Sequence, residues 1–589
     1  MKKFNYILKK DPINIHSTNY MADYLKKLGI KKVNSFIAAP SRIDEEQPIL
    51  LDNIDKITKE LKYGFENKYA FFLQVDSDAD GYTSAAIFYN YFKKLYPGAH
   101  IEWRLHKEKE HGIIVDTVPE TTDYVIIPDA GSNQYDEQWQ LAQRGQRVLI
   151  MDHHHADDFA EIENTIVVNN QLSKRFRNKD LSGAGVVFKV IQYYSKLYSD
   201  GEDYKEFTDL AALGIISDMM DTRNLDNNFI IYHGLRNVKN KMFEALLSYQ
   251  EYSISSMYEP SKIDVAFYIT PIINGVIRAG SKEDKELLFS AFIDQTRSKE
   301  IYEREYNGRN LRENFYEMVA RTSANIKDKQ NREKEKAMAY IDQKLKDSDY
   351  FDSSVLLAIT SKDDEITVPK TMTGLVAMEF VKKYGKPALV VRPRNIKGET
   401  FLFGSGRAAT ADGFDSFRDV LNKSDYTHFA QGHDNAFGFG VREDNVPHLI
   451  KDLDTMLKGI DFESDIVEVD YIFSRNELHE MLLKEFADGM PIYGNGIAQP
   501  KFAFKMILSR DHFKLMGKDK NVVKMTYKNV SFLRFKDEDF ADFVENEMGE
   551  LVEIEFIGRS QNNEFRGQKN LQVIIDYVKI KNVGPEVLL

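Results

Sequence analysis

The sequence predicts an α/β protein with a doubly wound parallel sheet, a long connecting helix, a smaller α/β unit and a C-terminal β-barrel. Three observations carry this. From Tyr69, apolar runs of strand length alternate with helical stretches: "YAFFLQV", "TSAAIFYNYFKKLY", "IEWRL", "YVIIPD", "RVLIMD", "TIVVNN". Short continuous apolar strands between helices indicate strands covered on both faces, as in a parallel sheet. Between about Asn307 and Lys346 the chain has no proline and one early glycine, and is dense in helix formers. After about Asp470 come short aromatic-rich strands, "KFAFKMIL", "FKLMG", "VVKMTY", "VEIEFIG", "LQVIIDYVKI", which suit a small barrel.

In chain order, residues 1–65 read as an N-terminal helical cap, 66–306 as the parallel-sheet domain and 307–346 as the connecting helix. Residues 347–455 form a second α/β unit ("SVLLAIT", "MTGLVAMEFVKKYG", "ALVVRP", "TFLFGSGR"), and 470–589 the barrel. A chain of 589 residues is too long for one core, so several domains are expected. No apolar run approaches the roughly 18–20 residues of a membrane helix, and "MKKFNYILKKDPINIH" lacks a signal h-region, so a cytoplasmic protein with no membrane partner is expected. With no cysteine, any metal must be held by oxygen and imidazole. The net charge of −13 argues against an extended nucleic-acid coat, yet residues 501–536 carry ten Lys or Arg against Asp511 and Asp519 alone. That stretch is either a solvated barrel face or a strand-binding surface on which some of Phe502, Phe504, Phe513, Tyr527 and Phe532 stack bases, others being core because alternate strand residues face inward.

The chemistry gathers at strand ends. The first strand ends in "VDSDADG", with Asp76, Asp78 and Asp80 at alternate positions; later strands end at Asp129 ("IIPDAGS") and at Asp152, His153, His154 and His155 ("LIMDHHH"). A further apolar run, "DLAALGIISDMMD", is expected to deliver Asp218 in the same way. The carboxyl ends of parallel strands face one crevice, where ligands bind. Carboxylates gathered there repel one another unless cations compensate. Hard oxygen donors with one or two imidazoles suit manganese, with magnesium next, and two such ions about 4 Å apart suit phosphoryl transfer. Taken singly, each motif has a plainer reading: DxDxDG is a common loop, and an EF-hand would need Glu where Ile87 stands. Three histidines after a buried strand have no packing purpose.

As an ordered set these residues resemble the DHH phosphoesterase superfamily: "VDSDADGYTSAA", "IIPDAGSN", Asp152-His153-His154, "LSGAGVVFK" and "LAALGIISDMMD", then "FGSGRAA" and "FAQGHDNAFGFGV", which resemble its DHHA1 domain. "PIINGVIRAG" and the C-terminal barrel, which resembles an oligonucleotide-binding (OB) domain, narrow the resemblance to RecJ-like single-strand-specific exonucleases. The resemblance implies metal ligation by Asp76, Asp78, Asp80, Asp129, His153 and Asp218, with Asp152 orienting an imidazole and His154 contacting the scissile phosphate. It implies that Arg278, Ser405, Gly406 and Arg407 hold a terminal 5′ phosphate and that Gly432 and His433 approach the DNA backbone. It implies two Mn2+ or Mg2+ ions, single-stranded DNA as substrate, a helicase or single-strand-binding protein as partner, and a monomer working in recombination or repair. One departure is Gln74, where many members carry a metal-binding histidine; His155 is expected to be an exposed bystander. A phosphodiesterase for short oligonucleotides or cyclic dinucleotides, and an inactive replication scaffold, remain as alternatives.

Overall fold

The structure, a computed structural model, describes residues 4–584 apart from 108–109, 158–161, 307, 367, 369, 410, 412–413, 461, 463–464 and 566–567. It divides into two compact units, one comprising Ser17–Gln330 with Asp488–Gln499, the other Met1–His16, Asn331–Ala487 and Pro500–Leu589. No helix among the described residues is long and apolar enough to cross a membrane.

The first unit is built on five parallel strands in the spatial order Ile101–Leu105, Phe71–Val75, Tyr124–Pro128, Arg147–Asp152, Thr165–Asn169. The continuous apolar runs have a direct cause. Phe71, Leu73, Tyr124, Ile126, Leu149 and Met151 face a large core that includes the helices Ala79–Leu95, Gly183–Tyr198 and Thr208–Ser217. The alternate residues Phe72, Val125, Ile127, Val148 and Ile150 pack with Ile113, Val115 and Leu141 on the opposite face. Each such buried side chain contributes about 1.5–3 kcal/mol. The strand order reverses between Phe71–Val75 and Tyr124–Pro128, and a crevice opens at such a reversal, outside the carboxyl ends of the strands.

Three expectations need correction. Residues 1–65 are not all helical: Phe4–Leu8 is a strand, paired parallel with Asp465–Val469 in the second unit, because "FNYIL" is rich in aromatic and β-branched residues. The long helix runs Phe315–Lys346 rather than from Asn307, which lies outside the described residues. Ile301–Tyr306 and Arg309–Asn314 form an antiparallel hairpin turning at Gly308, whose φ of 72° is left-handed; the Asn-Gly pair was a hairpin signal. Finally, the run ahead of Asp218 is the helix Thr208–Ser217, with Asp218 as its C-cap. Being buried on nearly every side, that helix has little amphipathic period and reads like a strand.

In the second unit a five-stranded sheet runs in the order Thr427–His433, Ala436–Arg442, Glu399–Arg407, Ala388–Ile396, Leu356–Ile359, antiparallel except for the last pair. One face packs Leu389, Leu402, Phe437 and Phe439 against the helices Phe417–Asn422 and Val446–Met456. The other packs Ala388 and Val390 under Thr373–Tyr384 and the end of the long helix. A seven-stranded, mostly antiparallel sheet follows, in the order Tyr471–Phe473, Phe502–Ser509, Leu551–Phe565, Gln568–Asn582, Val530–Phe535, Val522–Tyr527, Phe513–Met516. Phe502, Phe504 and Phe532 are fully buried in its core and cannot stack on bases, whereas Phe513 and Tyr527 are half-buried.

Candidate metal centre

Asp76 follows Val75 and Asp129 follows Pro128, on the two strands that flank the reversal, and Asp152 ends the next strand. Asp78 is the N-cap of Ala79–Leu95 and accepts from the Gly81 amide at 2.9 Å, which leaves its second oxygen for other work. Asp80, in the first turn of that helix, is gripped by the N-terminus of the next: Ser182 Oγ donates to Oδ1 at 2.9 Å, Gly183 N to Oδ2 at 2.7 Å and Ala184 N to Oδ1 at 3.1 Å. Asp129 is buried with φ 65°, a left-handed backbone that Asp, Asn and Gly tolerate best.

These groups converge. His153 Nε2 lies 3.3 Å from Asp129 Oδ1, 3.4 Å from Asp218 Oδ2 and 4.0 Å from Asp80 Oδ2. Ligand atoms of Asp80, His153 and Asp218 all lie within 4.8 Å of one another, as do those of Asp129, His153 and His154 and those of Asp76, Asp78 and Asp129. Among the described residues, Asp129 Oδ1 and His153 Nε2 are buried with no hydrogen-bond partner. Buried polar atoms are seldom left so, and the cost is of order 1–3 kcal/mol each. An oxygen and an imidazole nitrogen orphaned toward one point fit a divalent cation. The electrostatics agree. Burial, then Asp80, pushes the Asp78 carboxyl up to about 6 and that of Asp218 up to about 7. Burial, then Asp80 and Asp78, holds Asp129 well above the usual carboxylate range, and burial lowers His153.

Close packing of backbone on these carboxylates dictates the glycines. A Cβ on Gly183 would stand 2.3 Å from Asp129 Oδ1, one on Gly214 would stand 2.3 Å from Asp80 Oδ1, and one on Gly81 would stand 2.7 Å from Asp76 Cβ.

Two aspartates hold histidines instead. Asp152 Oδ1 accepts from His154 Nδ1 at 2.8 Å and from the backbone of His153 and His154, and its Oδ2 accepts from Ser132 N. Although burial opposes ionisation, the His154 contact keeps Asp152 well below its ordinary value, and in return that hydrogen bond lifts His154 to about 9. Asp76, expected among the metal ligands, has both oxygens engaged by the loop after the edge strand: His111 Nδ1 at 2.7 Å on Oδ2, and Gly112 N at 3.0 Å on Oδ1. That hydrogen bond raises His111, whose ring centroid lies 5.4 Å from that of His154. Buried His106 places Nε2 3.7 Å from Asp76 Oδ1.

Sequence reading missed His106 and His111; the signal was the "RLHKEKEHG" that follows a strand of the same sheet. It also missed Asn169, whose amide donates to Ser132 Oγ and to the His154 carbonyl. Gln74 is committed elsewhere, donating to Ile114 O and Thr117 Oγ1 and accepting from Ile114 N. His155 is exposed.

The remaining predicted residues are not among these ligand-atom groups. Arg278 is on the helix Thr270–Ala279 and lines a cavity of about 240 Å³ with Ser217, Met219, Asn274 and Lys327; Asn274 Oδ1 accepts from Ala79 N at the acidic loop. Ser405, Gly406 and Arg407 belong to the second unit, where Ser405 Oγ is 2.9 Å from Thr373 Oγ1 and Arg407 packs on Gly374 at the start of Thr373–Tyr384. Gly432 and His433 are exposed at the end of Thr427–His433.

Comparison with known proteins bears on the family and the fold. The model of the DHH family N-terminal domain matches residues 70–215, and that of the RecJ OB domain matches 469–577. The chain is 33% identical over 567 residues, 95% of its own length and 96% of the relative's, to YorK, an SPbeta prophage-derived protein of Bacillus subtilis strain 168 provisionally named a single-strand DNA-specific exonuclease. It is 22% identical over 575 residues, 95% of its length and 68% of the relative's, to the single-stranded-DNA-specific exonuclease RecJ of the same organism. The crystal structure of RecJ from Thermus thermophilus in complex with Mn2+ superposes with a TM-score of 0.64 at 17% identity, covering 99% of this chain and 80% of that one, which bears on the fold alone. The chain therefore belongs to the RecJ-like exonucleases of the DHH family and is a hydrolase of phosphodiester bonds.

Proposed function

We propose that this enzyme degrades single-stranded DNA from the 5′ end, releasing 5′ mononucleotides with two Mn2+ or Mg2+ ions, as a monomer in recombination or repair, on strands delivered by a helicase or single-strand-binding protein. The observation that carries the reading is the convergence of unpartnered Asp129 Oδ1 and His153 Nε2 with Asp80 and Asp218 at the sheet reversal. It occurs in a chain 33% identical to a protein named for that activity.

Asp78, Asp80, Asp129, His153 and Asp218 would hold the metal. When bound, divalent ions supply Lewis acidity and an activated water. Asp152 is a positioning residue, and Asp76, which would join Asp78 and Asp129 at the metal, also anchors an imidazole. Each fixes Nδ1 of one imidazole, so that His154 and His111 present Nε2, and His154 carries charge at neutral pH for the scissile phosphate. Ser405 and Arg407, at a helix N-terminus, suit a 5′ phosphate, with Arg278 a further donor. The acidic donor set, complete but for the histidine that Gln74 replaces, disfavours an inactive scaffold, and the OB domain disfavours a dinucleotide hydrolase, which has no need of a strand-binding module.

The test is nucleotide release from 5′-phosphorylated and 5′-hydroxyl single strands in manganese. Faster release from the phosphorylated strand is expected, with Arg407→Ala losing about 1.5–3 kcal/mol of that preference. Attack from the 3′ end, or the same preference in the variant, would overturn the assignment.

A further inference from the structure

The sheet of the second unit is covered unevenly. Register places Arg392 and Arg394, Phe401, Phe403, Ser405 and Arg407, Gly438, Gly440 and Arg442, and Phe429, Gln431 and His433 on one face. Thr373–Tyr384 covers only the part of that face carrying Ala388 and Val390. Beyond it, Phe401, Phe403 and Phe429 are partly exposed.

The rings form a continuous surface: Phe401 stacks on Phe403 with centroids 5.9 Å apart, and Phe403 on Phe429 at 5.8 Å. A register shift between Thr427 and Phe429 turns His428 to the same side, 4.9 Å from Phe401. Gly440 is required beneath the rings, since a Cβ there would stand 2.5 Å from Phe429 Cε1 and 2.9 Å from Phe403 Cδ1. Gly438 differs: a Cβ there would meet nothing nearer than 3.7 Å, so the strip between Gln431 and Ser405 is flat because it lacks a side chain. On the strands of this face stand four arginines and one carboxylate, Glu399; Arg442 is paired with Glu399 at 3.2 Å and Asp444 at 3.3 Å, so the positive excess is that of Arg392, Arg394 and Arg407, in a protein whose net charge is −13.

We propose that this half-face is a base-stacking track for single-stranded nucleic acid, leading away from Ser405 and Arg407. The inference rests on the single-strand reading above and adds a site to it. Alternate residues along a strand are about 7 Å apart, so Ser405, Phe403 and Phe401 offer successive stations on one line. Aromatic faces accept any base, as a sequence-tolerant exonuclease requires, while Arg392 and Arg394 suit the phosphates. The positive excess favours a polyanion over an apolar peptide as the occupant.

The experiment uses the full chain in EDTA, so that bound strands are not cut, and a short 5′-phosphorylated oligonucleotide with 2-aminopurine near its 5′ end. Wild type should quench the probe. Phe403→Leu combined with Phe429→Leu, which keeps apolar volume but removes the rings, should relieve the quenching and weaken binding about fivefold or more. Gly438→Leu fills the strip beside the rings, its Cβ in ordinary contact with Phe429 Cε2 at 3.8 Å, and should do the same, while melting as wild type does. Wild-type quenching and affinity in both variants would overturn the track. Nucleotide release by wild type is measured separately, so loss of the track with 5′ degradation intact is distinguishable from failure of the exonuclease reading itself.

Discussion

Metal and pH should trade off in the stability of the unit that holds the acidic cluster. Asp78 and Asp218 have folded-state values raised to about 6 and about 7, so between their ordinary 3.8 and those values the folded metal-free protein binds more protons than the unfolded chain. Stability from these groups is therefore present at low pH and lost as pH rises through 6 to 7. At 1.36 kcal/mol per tenfold, ionised Asp78 costs the folded state about 3 kcal/mol. Asp218 would cost more on the same scale, but its side chain is 32% exposed, and solvent screening brings it to about 2 kcal/mol. Both feel Asp80, so the two do not simply add; about 4 kcal/mol is the whole loss from below pH 3.8 to above pH 7, of which about 1.5–2 kcal/mol falls between pH 5.5 and pH 8. For a unit of this size the part lost between pH 5.5 and pH 8 corresponds to a melting temperature lower by roughly 2–3 °C. Calorimetry in EDTA and in Mn2+, at pH 5.5 and pH 8, should show a larger manganese increment at pH 8, where cations relieve the repulsion. Asp129→Asn keeps a residue that tolerates φ 65° and deletes the most opposed carboxylate. It should melt above wild type in EDTA at pH 8 and respond little to manganese. Equal manganese increments at both pH values, or an unchanged response in Asp129→Asn, would refute the reasoning.

Gly183→Ala drives a methyl to 2.3 Å from Asp129 Oδ1, and displacement of the centre by about 1 Å should cut kcat on the order of 100-fold while circular dichroism is unchanged. His111→Ala removes the imidazole held by Asp76 and should cost about 10–100-fold in nuclease rate, whereas His155→Ala should match wild type; equal rates for the two variants would remove His111 from the site. Lys514 and Lys524 stand directly opposite each other on the OB sheet, a pairing that is unfavourable without a polyanion. Replacing both with Ala should lower the slope of log affinity against log salt for long single strands by about 1–2, and an unchanged slope would mark this face as merely solvated.

Local pattern suffices for the composition of the site: alternating apolar strands and helices force a parallel sheet, and acids placed just after such strands must share its carboxyl edge. Asp76, Asp78, Asp80, Asp129 and Asp152 were legible for that local reason. It also marked the OB strands, although the period of two could not say that Phe502, Phe504 and Phe532 face inward. What only the tertiary structure decided depends on contacts between segments far apart in the chain. Asp218 arrives from a helix end, and the His111 loop occupies Asp76. Residues 488–499 return to the first unit, where Asn495 O accepts from Thr222 and Ile492 O from Lys262, so cutting the chain after Asp470 would strip the catalytic unit as well as the barrel. The surroundings of the aspartates are decided the same way: which distant donor reaches each carboxyl, Ser182 and Gly183 for Asp80 or His111 for Asp76, depends on the fold, and local sequence carries no record of that distance.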